Sequence, residues 1–297
     1  MSTTELKLLA LITMLIDHIG LYIPNTPVYL RYIGRLSAPI FLFCAVVGFI
    51  NTHDKKKYMI RIYLFSVFMG FIEGFILYDD INYIRTIFMT IIVIFVIDNF
   101  RTHNPLAKKY FYIFLIWQVF LNIFFIIFYN VPTNVPSDIF RVLVPLLTVP
   151  LFMDYGLPFV ILGVCMYLFL NSRKKFSISY CTVTLCILIL QNTMFLRYVQ
   201  IKGRIWLEAC EKFLGIGRVL SRFHYDFMEF IPAAYLDIEV RSLENNLFYT
   251  AQWLMICALP FLLIYNGKKG KGMKYLFYIM YPLNIVVLNY IGQCMTT

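Results

Sequence analysis

Charge is the scarcest commodity in this chain of 297 residues. Asp, Glu, Lys and Arg make up 14% of it, against about 25% in a water-soluble domain, which excludes an ordinary soluble fold. Acid is scarcer than base, at 16 carboxylates to 26 cations. The excess of cations does not indicate nucleic acid, because they are parcelled among loops rather than gathered on one patch. The seven cysteines form no CxxC or Cys/His cluster, which leaves neither a disulfide framework nor a metal site indicated. Cys44, Cys165, Cys181, Cys186 and Cys257 lie in apolar runs and read as small buried hydrophobes. There is no low-complexity tract, no internal repeat and no small-residue cleavage site after the first apolar run, so that run is expected to stay as the first span.

What is there is hydrocarbon: 61% of residues are hydrophobic and the mean hydropathy is +0.74. This predicts an all-α polytopic membrane protein, one domain over residues 1–297. Apolar runs lie at 6–23, 36–51, 58–78, 83–99, 110–130, 139–171, 176–197, 247–265 and 274–292, most of them near the 20 residues or so that a helix needs to cross a bilayer. The run 139–171 holds Pro145, Pro150, Gly156 and Pro158 around Asp154, so it is either one broken crossing or two short helices. Segment 198–246 is a long hydrophilic insertion with an amphipathic stretch that either caps the bundle or dips into it.

Basic clusters at residues 55–57, at Arg101, Lys108 and Lys109, at residues 173–175 and at Lys268, Lys269, Lys271 and Lys274 punctuate the runs. If 139–171 crosses once, all four fall on the side of Lys7, and the positive-inside rule makes that side cytoplasmic. The prediction is a bundle of about nine or ten helices with a cytoplasmic N-terminus.

Polar residues inside the spans are the candidates for chemistry, because an intramembrane ionisable group is costly and is usually kept for function. His18 and Asp17 lie deep in the first run, eleven positions after Lys7, or about 16 Å along a helix. A short connection folds the second run back on the first and brings Arg31 and Arg35, four residues apart, to the same depth. A neutral imidazole beside a carboxylate and two guanidinium groups suits a general base with cationic oxyanion support. Asp17 is the obvious orienting partner, although successive helical side chains diverge by about 100°, so that Arg31 or Arg35 is an alternative for it. The plainer readings are a satisfied interhelical His–Asp contact and snorkelling arginines. Glu73, between Gly70 and Gly74 in the third run, is a further candidate. Gln118, Asn122, Gln191, Asn192, Asn284 and Asn289 read as interhelical hydrogen bonders, and Asp98 as a solvated boundary residue. The basic stretches THDKKKYMIR and NGKKGKGMKY, with Lys56, Lys57, Arg61, Lys268, Lys269 and Lys271, suit the phosphates of a donor such as coenzyme A; the plainer reading is topology signalling.

ITMLIDHIG, RYIGRLSAPIFLFCAVVGFINT, KKKYMIRIYLFS and LIYNGKKGKGMKYLFYIMYPLNIVVLNYI together resemble the TraX family, membrane proteins named for acetylating a pilin N-terminus. The resemblance is clearest in the first 65 and last 40 residues. The Lys7-x10-His18 spacing is also similar to the basic-x10-His motif of the acyltransferase-3 family, which acylates envelope sugars. The resemblance implies an acetyltransferase taking acetyl-CoA from the cytoplasm, with Lys7, Lys56, Lys57, Arg61, Lys268, Lys269 and Lys271 on the donor. It implies His18 as base, supported by Asp17, Arg31, Arg35 and Glu73, an extracytoplasmic protein or glycan acceptor, and the bacterial plasma membrane as location. In the family pattern a histidine follows the C-terminal Tyr-Pro; here Tyr281-Pro282 is followed by Leu283-Asn284, and Asn284 hydrogen-bonds but does not titrate. Envelope-polysaccharide O-acetylation, a transporter or flippase, and a non-catalytic scaffold stay open as alternatives.

Overall fold

The computed structural model describes residues 1–77, 82–130, 143, 146–147, 156–192, 251–272 and 274–296. The insertion at 198–246, Asp154 and most of the first half of run 139–171 lie outside the described residues. Among those described, no β-strand forms and the protein is an all-α membrane protein. Its helices are α1 (Thr3–Tyr22), α2 (Tyr29–Gly34), α3 (Ser37–Ile50), α4 (Lys55–Ile72), α5 (Tyr83–Arg101) and α6 (Ala107–Asn130). After these come α7 (Gly156–Phe169), α8 (Arg173–Asn192), a 3₁₀ turn (Gln252–Ala258), α9 (Leu259–Leu263) and α10 (Lys274–Thr296). Four stretches there are long and apolar enough to cross a bilayer, Tyr29–Ile50, Lys55–Leu77, Tyr83–Arg101 and Leu276–Met295. The 20 residues of α1 span about 30 Å but carry Glu5, Lys7 and Asp17.

α1 begins at a capping box written in the sequence as Ser2-Thr-Thr-Glu5. Ser2 Oγ accepts from the Glu5 amide at 3.3 Å, and the Ser2 amide donates to Glu5 Oε2 at 2.9 Å. The loop before α10 is strapped to this end. The Thr3 and Thr4 amides donate to the Lys268 and Lys269 carbonyls at 2.9 and 3.2 Å. Thr4 Oγ1 adds bonds to the Lys269 and Lys271 carbonyls at 2.9 and 2.6 Å. Gly270 turns the loop at φ +75°, where an added Cβ would also sit 2.7 Å from Ser2 Oγ.

α2 and α3 form one apolar stretch broken at Arg35. Pro39 has no amide for the Arg35 carbonyl and its ring crowds that oxygen. The chain answers with tight i+3 bonds, Arg35 to the Tyr32 carbonyl and Leu36 to the Ile33 carbonyl, both 3.3 Å. α3 is apolar on every side and is the central helix. Ile40, Leu42, Val46 and Phe49 are wholly buried, packed against α1, α5, α7 and the 3₁₀ turn. Lipid tails are as apolar as leucine, so this close packing, rather than exclusion of water, holds the helices together.

One end of the bundle gathers the basic clusters. Lys55, at the start of α4, pairs with Asp98 near the end of α5. Tyr167, late in α7, donates to Asp98 Oδ1 at 2.5 Å, and the Arg101 guanidinium lies 5.6 Å over the Tyr167 ring. Asp98 is thus not the solvated boundary residue the sequence suggests: its side chain is 16% exposed, enclosed by two helices that the linear pattern does not bring together. Asp54 caps α4 by accepting the Lys57 amide at 2.9 Å. That bond, with the Lys57 charge, holds its carboxyl below the ordinary range.

Candidate active site

Two features of α1 define the site, a polar cluster near its C-terminal end and a cationic cavity beside its N-terminal half. In the cluster, Asp17 is 7% exposed and pairs with Arg31, whose Nη1 lies 2.8 Å from Asp17 Oδ2. The same Nη1 donates to the Asp17 backbone carbonyl at 3.2 Å. The contact requires Gly34, one turn after Arg31, because an added Cβ there would lie 2.1 Å from Asp17 Oδ1. Arg35 turns away to donate to Gln252 Oε1 at 3.0 Å, tying the break between α2 and α3 to the 3₁₀ turn.

His18 is therefore not oriented by its neighbour in sequence. Its Nδ1 lies 2.5 Å from Oδ1 of Asn284 on α10, and its ring meets Tyr22 edge-on with centroids 5.9 Å apart. With an amide oxygen as acceptor, Nδ1 carries the proton and the lone pair of the neutral ring resides on Nε2. Asn284 is 6% exposed, and its Nδ2 makes no hydrogen bond among the described residues. A buried amide donor without a partner is expensive, so Nδ2 is a donor available to whatever occupies the space beside His18.

The cavity, of about 620 Å³, lies among α1, α3, α4, α5 and α10. Lys7, Arg61 and Lys269 line it, and no carboxylate among the described residues does. Aromatic rings support the cations: Lys7 Nζ stands 5.5 Å over Phe277 and the Arg61 guanidinium 5.9 Å over Tyr58. Tyr281 also lines the wall, and Asn284 is one turn further along the same face of α10. The basic loop is held in place by its strap to Thr3 and Thr4.

Of the donor-binding candidates, Lys7, Arg61 and Lys269 meet in this cavity, whereas Lys56, Lys57, Lys268 and Lys271 do not line it. Lys57 Nζ turns back to Asp54 at 3.3 Å. Glu73, 4% exposed, opens a π turn over Glu73–Leu77 that packs on α10. Such π turns within helices are frequent at functional sites.

Two further polar residues escape a reading of the sequence. Gln252 lies inside the apolar run 247–265, yet is 4% exposed and holds Arg35. Arg85 is 1% exposed, in the first turn of α5 above its cap Asn82, which is wholly buried. The available signal was an Asn and an Arg three residues apart at the head of an apolar run, a pattern easily taken for an interfacial boundary.

Known proteins match this chain in part. An uncharacterized protein of Rickettsia prowazekii (strain Madrid E) is 50% identical over 58 residues, which is 20% of this chain and 22% of that protein. A Dichelobacter nodosus protein named as a probable fimbrial assembly protein, FimC of serogroup H1, is 33% identical over 86 residues, 27% of this chain and 35% of that one. The matches thus span about a fifth and a third of those relatives' lengths. No solved structure matches. The family model described as TraX protein matches residues 2–236, a stretch that includes Lys7, Asp17, His18, Arg31 and Arg35, and the chain belongs to the TraX family.

Proposed function

We propose that this protein is an acetyltransferase that carries an acetyl group from cytoplasmic acetyl-CoA to the N-terminal amine of an extracytoplasmic protein. The observation that carries the reading is a three-cation cavity, which His18 does not itself line, on the same helix as a histidine whose Nδ1 is engaged by Asn284, one turn from the cavity residue Tyr281. The positive-inside rule makes the end bearing the N-terminus and the basic loops cytoplasmic, in a multi-pass protein of the bacterial plasma membrane.

Lys7, Arg61 and Lys269 bind the phosphates of the donor through charge-assisted hydrogen bonds, and the tyrosine-lined wall receives its pantetheine arm. The acceptor amine attacks the thioester carbonyl while His18 Nε2 takes its proton. Asn284 Nδ2 donates to the oxyanion of the tetrahedral intermediate. The carbon–sulfur bond then breaks, and His18 returns the proton to the departing thiolate, giving amide and coenzyme A. The Dichelobacter relative, named for fimbrial assembly, favours a protein acceptor over a glycan.

The test is acetyl transfer from labelled acetyl-CoA by detergent-purified protein, with calorimetric binding of the donor measured in parallel. His18→Ala is expected to abolish transfer and to leave donor binding intact, whereas Lys7→Ala and Lys269→Ala weaken binding. Transfer retained by folded His18→Ala removes the proposed mechanism, and an absence of donor binding by folded wild-type protein removes the reading itself.

A further inference from the structure

A second cavity, of about 570 Å³, lies on the other side of α4, where α4 and α6 flank α5. Three helices contribute to it over two turns each, through Met59, Ile60 and Tyr63 of α4, Phe88 and Phe95 of α5, and Trp117 of α6. Two turns of helix are about 10 Å, so the space is an elongated groove parallel to the helices. At one end Phe95 packs on Tyr110 with centroids 5.2 Å apart, and at the other Tyr63 packs on Phe88 at 5.4 Å. The second end is crossed by Leu146, whose carbonyl accepts the Tyr63 hydroxyl at 2.7 Å. Tyr63 thereby spends its proton within the protein, and the interior left to a ligand is hydrocarbon and ring.

Among the described residues one cation lines this groove, Lys56, at the end where the basic clusters gather. Its two neighbours are neutralised within the protein, Lys55 by Asp98 and Lys57 by Asp54. Lys56 forms no ion pair among the described residues and is exposed. An apolar slot about two helical turns long, with one unneutralised ammonium group at its mouth at the membrane boundary, complements a single kind of molecule: an acyl chain carrying an anion at its end. From this we infer that the groove binds one anionic phospholipid of the surrounding bilayer, with a chain along α5 and the phosphate on Lys56. The site is separate from the donor cavity and does not depend on the proposed transfer reaction.

Trp117 is a reporter built into the groove wall. In a Trp206→Phe/Trp253→Phe background it is the chain's one remaining tryptophan. That protein, reconstituted into phosphatidylcholine vesicles, is compared with equal fractions of dibrominated phosphatidylglycerol or dibrominated phosphatidylcholine. Brominated phosphatidylglycerol is expected to occupy the site about fivefold more readily, the scale of one lysine near an anionic surface. Lys56→Gln is expected to remove that preference, and Lys108→Gln, on the loop side of α6, to leave it. Equal quenching by the two lipids marks ordinary boundary lipid and overturns the inference, as does a preference that survives Lys56→Gln. Native mass spectrometry of the chain with its tryptophans intact makes the same comparison without repacking. There, a phosphatidylglycerol adduct retained through delipidation and lost in Lys56→Gln supports the site, and its absence from the wild-type protein overturns it.

Discussion

Asn284 gives His18 its tautomer, which makes the amide more than a hydrogen-bonding spacer. Its replacement by Ala removes both the acceptor that fixes the ring and the Nδ2 donor beside it. We expect kcat for acetyl transfer to fall on the order of 100-fold, the scale set by a catalytic group displaced by about 1 Å. The KM for acetyl-CoA is expected to stay unchanged, because the proposed phosphate-binding cations Lys7, Arg61 and Lys269 are not touched; steady-state kinetics at varied donor concentration separates the two effects. Asp17 has a different task. Arg31→Ala leaves a carboxylate that is 7% exposed without its counter-ion, a change that typically costs about 3–5 kcal/mol. Gly34→Ala forces a methyl group onto the same carboxylate, and overpacking of that kind costs roughly 1–3 kcal/mol. Both variants should melt earlier in detergent than the wild-type protein. Asp17→Asn, which keeps the shape and removes the charge, distinguishes lost charge from lost space.

Among the elements, the strap between the basic loop and α1 holds Lys269 at the proposed donor cavity. Thr4→Val deletes the two hydroxyl bonds to the Lys269 and Lys271 carbonyls while preserving bulk. Acetyl-CoA binding is expected to weaken several-fold, as a net 0.5–1.5 kcal/mol per hydrogen bond implies; calorimetry reads it directly. The start of α4 offers a pH test. Asp54 is held below its ordinary pKa by the Lys57 amide, so its contribution is present above the unfolded carboxylate value of about 3.9. It is lost as pH falls through the lower folded value. The melting difference between wild type and Asp54→Ala should therefore be constant at neutral pH and close only under strongly acid conditions. What the sequence conveyed at this scale was the linear grammar: the apolar runs that became α3, α5 and α10, and the short α1–α2 connection that brings Arg31 to Asp17. It did not convey which polar residues meet across the bundle. Hydropathy marks depth but not azimuth, so Asn284 could be placed in a span but not opposite His18. Gln252 had no visible reason to face Arg35, and Asp98 none to sit between Lys55 and Tyr167.

For the whole molecule, the Asp98 junction fastens α4, α5 and α7 at the end where the basic loops gather. Asp98→Asn removes the ion pair with Lys55 and weakens the bond from Tyr167, and should lower the melting temperature with little change in His18 chemistry. The sharper consequence lies in the separation of His18 from Asn284, 266 residues apart in the chain. At about 5–20 residues per second, the ribosome takes roughly 13–53 s to travel between them. Throughout that interval α1 stands in or at the membrane with its imidazole unmatched and the cavity without its Tyr281 wall. The proposed site is therefore completed only as the last described helix is laid down, and a chain arrested before α10 is expected to show no acetyl transfer.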